Sequence, residues 1–142
     1  MAVLQISVQL DNVPGALARL VDLLDKEGIS TKAISAASVD EVSTVRLVVN
    51  DPQKAVSVLK SFRFNLDVST VLAVEVPFHP AGMNAIVKPL RDAEINIHYI
   101  YTTIDRLGKE TILILGVDKI DEATEVLKQH WINFVGDKIY NL

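Results

Sequence analysis

Pro14-Gly15-Ala16-Leu17-Ala18-Arg19-Leu20-Val21-Asp22-Leu23-Leu24 and Pro80-Ala81-Gly82-Met83-Asn84-Ala85-Ile86-Val87-Lys88-Pro89-Leu90 carry one pattern twice, and that recurrence decides the architecture. In the first stretch Leu17, Leu20, Val21 and Leu24 stand at i, i+3, i+4 and i+7, the spacing that lines one face of an α-helix. A shift of 66 positions carries these four onto Met83, Ile86, Val87 and Leu90. It also carries Pro14 onto Pro80, Ile29 onto Ile95, and the run Val45–Val49 onto Thr111–Leu115. Further along the shift is 68, where Ala55, Val58, Leu59 and Lys60 match Ala123, Val126, Leu127 and Lys128. Small loop insertions produce such a slip. The chain is therefore read as two copies of one unit.

Within the first copy, Leu4, Ile6, Val8 and Leu10 alternate with Gln5, Ser7 and Gln9, the period of a strand with one wet face. Asp11 to Gly15 turns into a helix, with Pro14 at its start and Gly28 stopping it. Ile29 to Val39 and Val42 to Val49 read as a hairpin around Asp40-Glu41. Asp51-Pro52 starts a second helix, and Phe64 to Ser69 closes the unit as a strand. The second copy begins almost without a linker at Val71 to Val76. Its first helix, Gly82 to Ala93, contains Pro89, which is expected to bend the helix or shift its end. Asp105 to Lys109 reads as a hairpin loop with Gly108 supplying a permissive φ. A helix over Asp121 to Trp131 and a last strand within Ile132 to Tyr140 complete it. The expected fold is α+β: two ferredoxin-like βαββαβ modules, residues 1–70 and 71–142, with antiparallel sheets and the helices on one face.

Composition narrows the function. The 142 residues are 49% hydrophobic, ample for a core, and each short module must lean on the other. Fourteen Lys plus Arg against eighteen Asp plus Glu give a formal charge of -4, with no basic stripe, so nucleic acid is disfavoured. There are no cysteines, which excludes disulfides, thiolate metal sites, thiol nucleophiles and a metallochaperone's cysteine pair. The N-terminus has no signal-like pattern and no run is apolar enough to span a bilayer, so no membrane association and a cytoplasmic location are expected.

No catalytic constellation is legible. His79, His98 and His130 lack the spacing of a helical metal pair, so no metal is expected. The six glycines form no phosphate loop, and no cofactor is expected. An acylphosphatase would need an arginine in an anion-binding loop, whereas Arg19 and Arg91 fall in helices. Tyr99 and Tyr101 alternate on one strand and could stack RNA bases, but no basic residues surround them, which favours packing.

The turn Asp11-Asn12-Val13-Pro14-Gly15-Ala16-Leu17, followed by an amphipathic helix and Glu27-Gly28-Ile29-Ser30, resembles the signature of the ACT domain. The chemistry suits an amino acid. Gly15 permits close backbone approach, the helix start favours a carboxylate, and Asn12 offers a donor and an acceptor. Capping of the helix by Asp11 or Asn12 is an equally good account of those two residues. The resemblance covers both copies and implies a ligand held between modules, against the turn of one and the start of the second strand of its neighbour. It implicates Asp11, Asn12, Val13, Pro14, Gly15, Ala16, Leu17 and Ser30. In the second copy it implicates Phe78, His79, Gly82, Met83 and Asn96, although Phe78 stands where the first copy has Asn12 and Ala81 where it has Gly15. Leu17, Ile34 and Met83 with Phe78, Tyr99 and Tyr101 would suit a branched or aromatic side chain.

ACT modules usually regulate an attached enzyme, and the two copies fill these 142 residues. The expected function is thus a non-catalytic regulatory protein that binds a small ligand, an amino acid, at module interfaces and forms a homodimer. The alternative is a ligand-free scaffold or regulatory subunit of an amino-acid metabolic enzyme, its partner enzyme being a separate chain.

Overall fold

The computed structural model describes residues 2–105 and 110–142. The strands are β1 (Ala2–Asp11), β2 (Thr31–Val39), β3 (Val42–Val49), β4 (Asn65–Glu75), β5 (Ile97–Thr102) and β6 (Ile112–Val117). The helices are α1 (Ala16–Lys26), α2 (Pro52–Ser61), α3 (Gly82–Asp92) and α4 (Ile120–Gln129), and a 3₁₀ helix spans Gly136–Asn141. The expected hairpin loop over 105–109, with its Gly108, falls largely outside the described residues. Among the described residues no helix is long and apolar enough to cross a membrane.

The strands form one antiparallel sheet in the order β2-β3-β1-β4-β6-β5, not one sheet per copy. The strand expected to close the first copy and the strand expected to open the second are a single strand, β4. Its amino-terminal part pairs with β1, from Gln9↔Asn65 to Ala2↔Leu72, and its carboxy-terminal part pairs with β6, from Leu72↔Leu115 to Glu75↔Ile112. Strand alternation runs through the junction: Leu66, Leu72 and Val74 point to the helices, while Val71 and Ala73 point to the opposite face.

All four helices lie on one face. Leu20, Leu24, Ala55 and Leu59 pack with Ile6, Val8, Val45 and Leu47. In the second copy Ile86, Leu90, Ala123 and Leu127 pack with Leu72, Val74, Leu113 and Leu115. Each helix ends in the same way, with a left-handed residue followed by a hydrogen bond back to the last turn. Ile29, Phe64, Ile95 and Ile132 donate to Leu24, Leu59, Leu90 and Leu127 at 2.9–3.1 Å, and the left-handed residues are Gly28, Arg63, Glu94 and Trp131. α3 ends at Asp92, 66 positions after Lys26 ends α1, so Pro89 does not displace its end.

The last strand expected within 132–140 is reduced to a short pairing. Asn133 accepts from the Glu75 amide, the Val135 amide donates to Ala73, and Val74 bridges Phe134. The reason is occupancy: β1 already pairs with β4 as far as Leu72, leaving only the 73–75 stretch free on that side. Beyond Val135 the chain turns at Gly136, whose φ is 60°, and the 3₁₀ helix covers the helix-free face with buried Ile139.

That helix-free face curls inward. The outermost strands meet where Ala33 bridges Thr103 and the Ile104 amide donates to Lys32 at 2.8 Å. Inside lies a third cluster of Val3, Val48, Val71, Ile112, Ile114 and Tyr101. Gln5, with 0% exposure, is its polar member. It accepts from Tyr101 Oη at 2.5 Å and donates from Nε2 to Tyr99 Oη at 2.8 Å, joining the two copies through their polar atoms. Burial, and then the neighbouring Tyr99, push the Tyr101 hydroxyl well above the usual tyrosine range against the opposing pull of Arg46.

Candidate functional site

In the first turn Gly15 occupies the position before α1 with φ 87° and ψ -11°, and a Cβ built there would meet nothing within 4 Å. The left-handed backbone is the reason for glycine, and the space in front of it is open. No side chain caps α1, so Asp11 and Asn12 are not its caps, and the capping account of them fails. Pro14 precedes Gly15 instead of opening the helix. Asn12 is a clasp to the β2–β3 hairpin: its amide donates to Glu41 at 2.9 Å, its Nδ2 donates to the Asp40 carbonyl at 2.9 Å, and Ser38 Oγ donates to its Oδ1 at 3.2 Å. Asp11, Val13, Pro14 and Leu17 are exposed around it, and Ala16 is half-buried.

Ser30 lies at the other end of α1, about 16 Å away for an eleven-residue helix. Its amide donates to Asn50 Oδ1 at 2.9 Å, and the Asn50 amide donates to the Ser30 carbonyl at 3.0 Å. The second copy repeats the device, with the Asn96 amide donating to Asp118 Oδ1 at 3.1 Å and the Asp118 amide to the Asn96 carbonyl at 3.2 Å. Each second strand is thus anchored to the end of the third. The Asn96 side chain stands 3.4 Å from His98 Nδ1.

The second turn is built differently. Ala81 precedes α3 with φ -98°, and Gly82 is buried so tightly that a Cβ would lie 2.3 Å from the Pro77 carbonyl oxygen. His79 Nδ1 accepts from the Ala81 amide at 3.2 Å, which makes it an internal brace. Phe78 and Met83 are exposed.

A cleft borders each turn. The first, about 280 Å³, takes in Asp11, Val13 and Ala16 and adds Arg19, Arg63 and Asn65. Around the second turn, one hollow of about 460 Å³ has Phe78 and His79 facing Glu110 and Thr111, and another of about 210 Å³ is formed by Glu75, Phe78, Glu110, Trp131 and Asn133. Ser30, Asn96, Gly82 and Met83 line none of these clefts. The suggested apolar lining is not gathered either: Tyr99 and Tyr101 point into the helix-free interior, and Ile34 packs in the first core. Tyr99 rests on Gly116 with the Arg46 guanidinium 4.0 Å from its ring centroid, a basic neighbour not expected from the sequence, but both tyrosine hydroxyls bond Gln5 inside the sheet, so both serve packing. Sequence reasoning missed Arg63 and Trp131. Continuing the shift of 68 from Lys60 and Lys128 would have paired them as one position in the two copies.

The architecture so described defines a duplicated ferredoxin-like α+β protein in which two modules share one sheet. The chain belongs to the ACT domain pair family, which matches residues 1–142. Along 100% of its length it is similar to protein BT0572 from Bacteroides thetaiotaomicron, with 25% identity, 98% of that chain covered and a TM-score of 0.91. It also shares its fold with the ligand-free regulatory subunit of aspartate kinase from Thermus thermophilus, with 15% identity, 89% of this chain and 91% of that one covered, and a TM-score of 0.62. The regulatory subunit of aspartate kinase from Thermus flavus is similar at 14% identity, with 90% and 92% covered and a TM-score of 0.59. No curated protein sequence matches this chain.

Proposed function

We propose that the protein is a non-catalytic regulator that binds an amino acid at the first turn, with residues 1–70 and 71–142 as its working modules. The observation that carries this reading is a helix start with no side-chain cap, preceded by a left-handed glycine with open space before it. The Ala16 amide donates to the Val13 carbonyl at 3.3 Å, and the next amides of α1, those of Leu17 and Ala18, are left for a carboxylate, which the helix dipole also favours. The ligand's α-carboxylate belongs at the Leu17 and Ala18 amides beside Ala16, with Asn12 and Ser30 of a neighbouring module as polar contacts. Asn96 and the second turn, with Phe78, His79, Gly82 and Met83, form the weaker counterpart. Fold likeness to subunits named as regulatory supports a role in controlling a partner enzyme, and the same reading puts the protein in the cytoplasm.

Self-association follows from a free edge. Asn65 to Thr70 of β4 pair with β1 on one side, and no strand among the described residues pairs with the other. Such an edge favours a second copy, giving a homodimer. A ligand bound across the interface would then stabilise the associated form by linkage.

Gly15→Asn provides the test, because asparagine tolerates the left-handed conformation while filling the approach to the helix. The expected result is a thermal shift with one or a few amino acids in the wild type, and at least about tenfold weaker calorimetric binding in the variant at a similar melting temperature. Absence of any shift, or unchanged affinity in Gly15→Asn, refutes the site. A ligand-free chain that still copurifies with an amino-acid metabolic enzyme would favour the scaffold alternative.

A further inference from the structure

The two clefts beside the turns are one feature inherited twice and since diverged in charge. The shift of 66 carries Gln9, Leu10 and Asp11 of the first cleft onto Glu75, Val76 and Pro77 of the second, and the shift of 68 carries Arg63 and Asn65 onto Trp131 and Asn133. The fold thus builds a hollow between the first turn and the end of the second helix in each module. In the first copy that hollow holds two arginines against one aspartate. In the second it holds Glu75 and Glu110, and no lysine or arginine lines it among the described residues.

The aromatic residues make the second hollow selective. Phe78 is 88% exposed and Trp131 is 91% exposed, yet both line it. Trp131 holds the left-handed helix-stop position, with φ 62°, that Gly28, Arg63 and Glu94 take at the other three helices, so the stop accounts for its backbone. Neither ring contributes to the core, so packing does not account for either exposed aromatic side chain. Two aromatic side chains and two carboxylates line one small volume and give it negative potential, with Asn133 Nδ2 donating to Glu75 Oε2 at 3.5 Å.

We propose that this second hollow binds an organic cation, an ammonium or guanidinium group carried by a small molecule. The cation sits against Trp131 and Phe78 with Glu75 and Glu110 as counter-charges. This site is separate from the helix start at Gly15, and it does not rest on the amino-acid reading.

Trp131 is the single tryptophan of the chain and so reports directly on the hollow. The test titrates the full chain with cadaverine, arginine and lysine while tryptophan emission is followed, with norleucine as the lysine-length control that lacks a side-chain ammonium. Saturable change with cadaverine, weakened about tenfold or more in Glu75→Gln/Glu110→Gln and absent with norleucine, is the expected result. Cadaverine has no carboxylate, so its binding stands even if the Gly15 site fails. Binding of cadaverine and lysine alike marks a site that reads the ammonium alone, and binding of the amino acids only overturns the proposal. So does equal response to norleucine, an unaffected double variant, or no saturable change with any cation. A circular dichroism spectrum of the double variant matching the wild type establishes that the comparison is between folded proteins.

Discussion

Replacing Gln5 by leucine removes the polar atom pair that joins the two copies inside the curled sheet. Tyr101 Oη then loses its acceptor in a place where its residue is only 8% exposed, which costs about 1–3 kcal/mol for an unsatisfied buried hydroxyl. Tyr99 Oη loses a donor at 2.8 Å, but its side chain is half-buried and can turn to water, so that loss is worth about 0.5–1 kcal/mol. The apolar leucine recovers part of this by burial, leaving a net loss of about 2 kcal/mol for Gln5→Leu. Tyr101→Phe alone costs about 1–2 kcal/mol, since Gln5 Nε2 keeps Tyr99, Ser7 and Ser69 while its buried Oε1 loses the Tyr101 donor. In the double variant no orphaned hydroxyl remains at Tyr101, so it should be more stable than Gln5→Leu by about 1 kcal/mol, although it carries one more substitution. Equilibrium unfolding in urea of all four proteins gives the coupling energy. Additivity within about 0.5 kcal/mol would refute the argument that Gln5 and Tyr101 are stabilised through each other.

Tyr101 also sets an alkaline limit. Its hydroxyl is raised above the ordinary 10.0, so the unfolded chain releases that proton first, and stability should be level below pH 10 and fall as pH rises beyond it. Denaturant midpoints measured from pH 8 to 11 check this, and Tyr101→Phe should flatten the fall. Gly116→Ala should destabilise by about 2 kcal/mol or more, because its Cβ would lie 2.2 Å from Tyr99 Cζ, and Tyr99→Ala in the same chain should recover part of the melting temperature. Trp131→Gly should raise stability by about 1 kcal/mol, or roughly 2–4 °C in calorimetric melting, since it releases a left-handed strain and gives up no core contact.

Much of this fold is legible because local pattern and global structure agree. The strand Val42–Val49, the helix start at Pro52 and the helix stop at Gly28 each rest on a residue type whose chemistry is local. The fused strand was legible too, for no glycine, proline or asparagine interrupts Leu66 to Val76, and a chain break there has no turn chemistry to support it. The shortened carboxy-terminal pairing was not legible, because it depends on β1 occupying the adjacent lane of β4, a fact of tertiary register. Nor was the partner of Asn12, since Asp40 lies 28 residues away and only the folded hairpin brings it close. The sheet's closure at Ala33 and Thr103 joins residues 70 positions apart through a curvature that no periodicity encodes.

Divergence at the two turns limits what duplication can mean here. At the position before the helix the first copy has glycine at φ 87° and the second has alanine at φ -98°, so the backbone itself differs and not only the side chains. The first arrangement leaves the helix start open, whereas the second places Gly82 against the Pro77 carbonyl and uses His79 Nδ1 to accept the Ala81 amide. An amide already satisfied within the chain offers little to an incoming carboxylate. Neither α1 nor α3 has a side-chain cap, but the Gly15 amide is open where its counterpart Ala81 is bonded, so a ligand recognised by its carboxylate should bind more tightly at the first turn than at the second. The aromatic and acidic residues beside the second turn would then answer to a different group, so that one copy reads an anion and the other a cation.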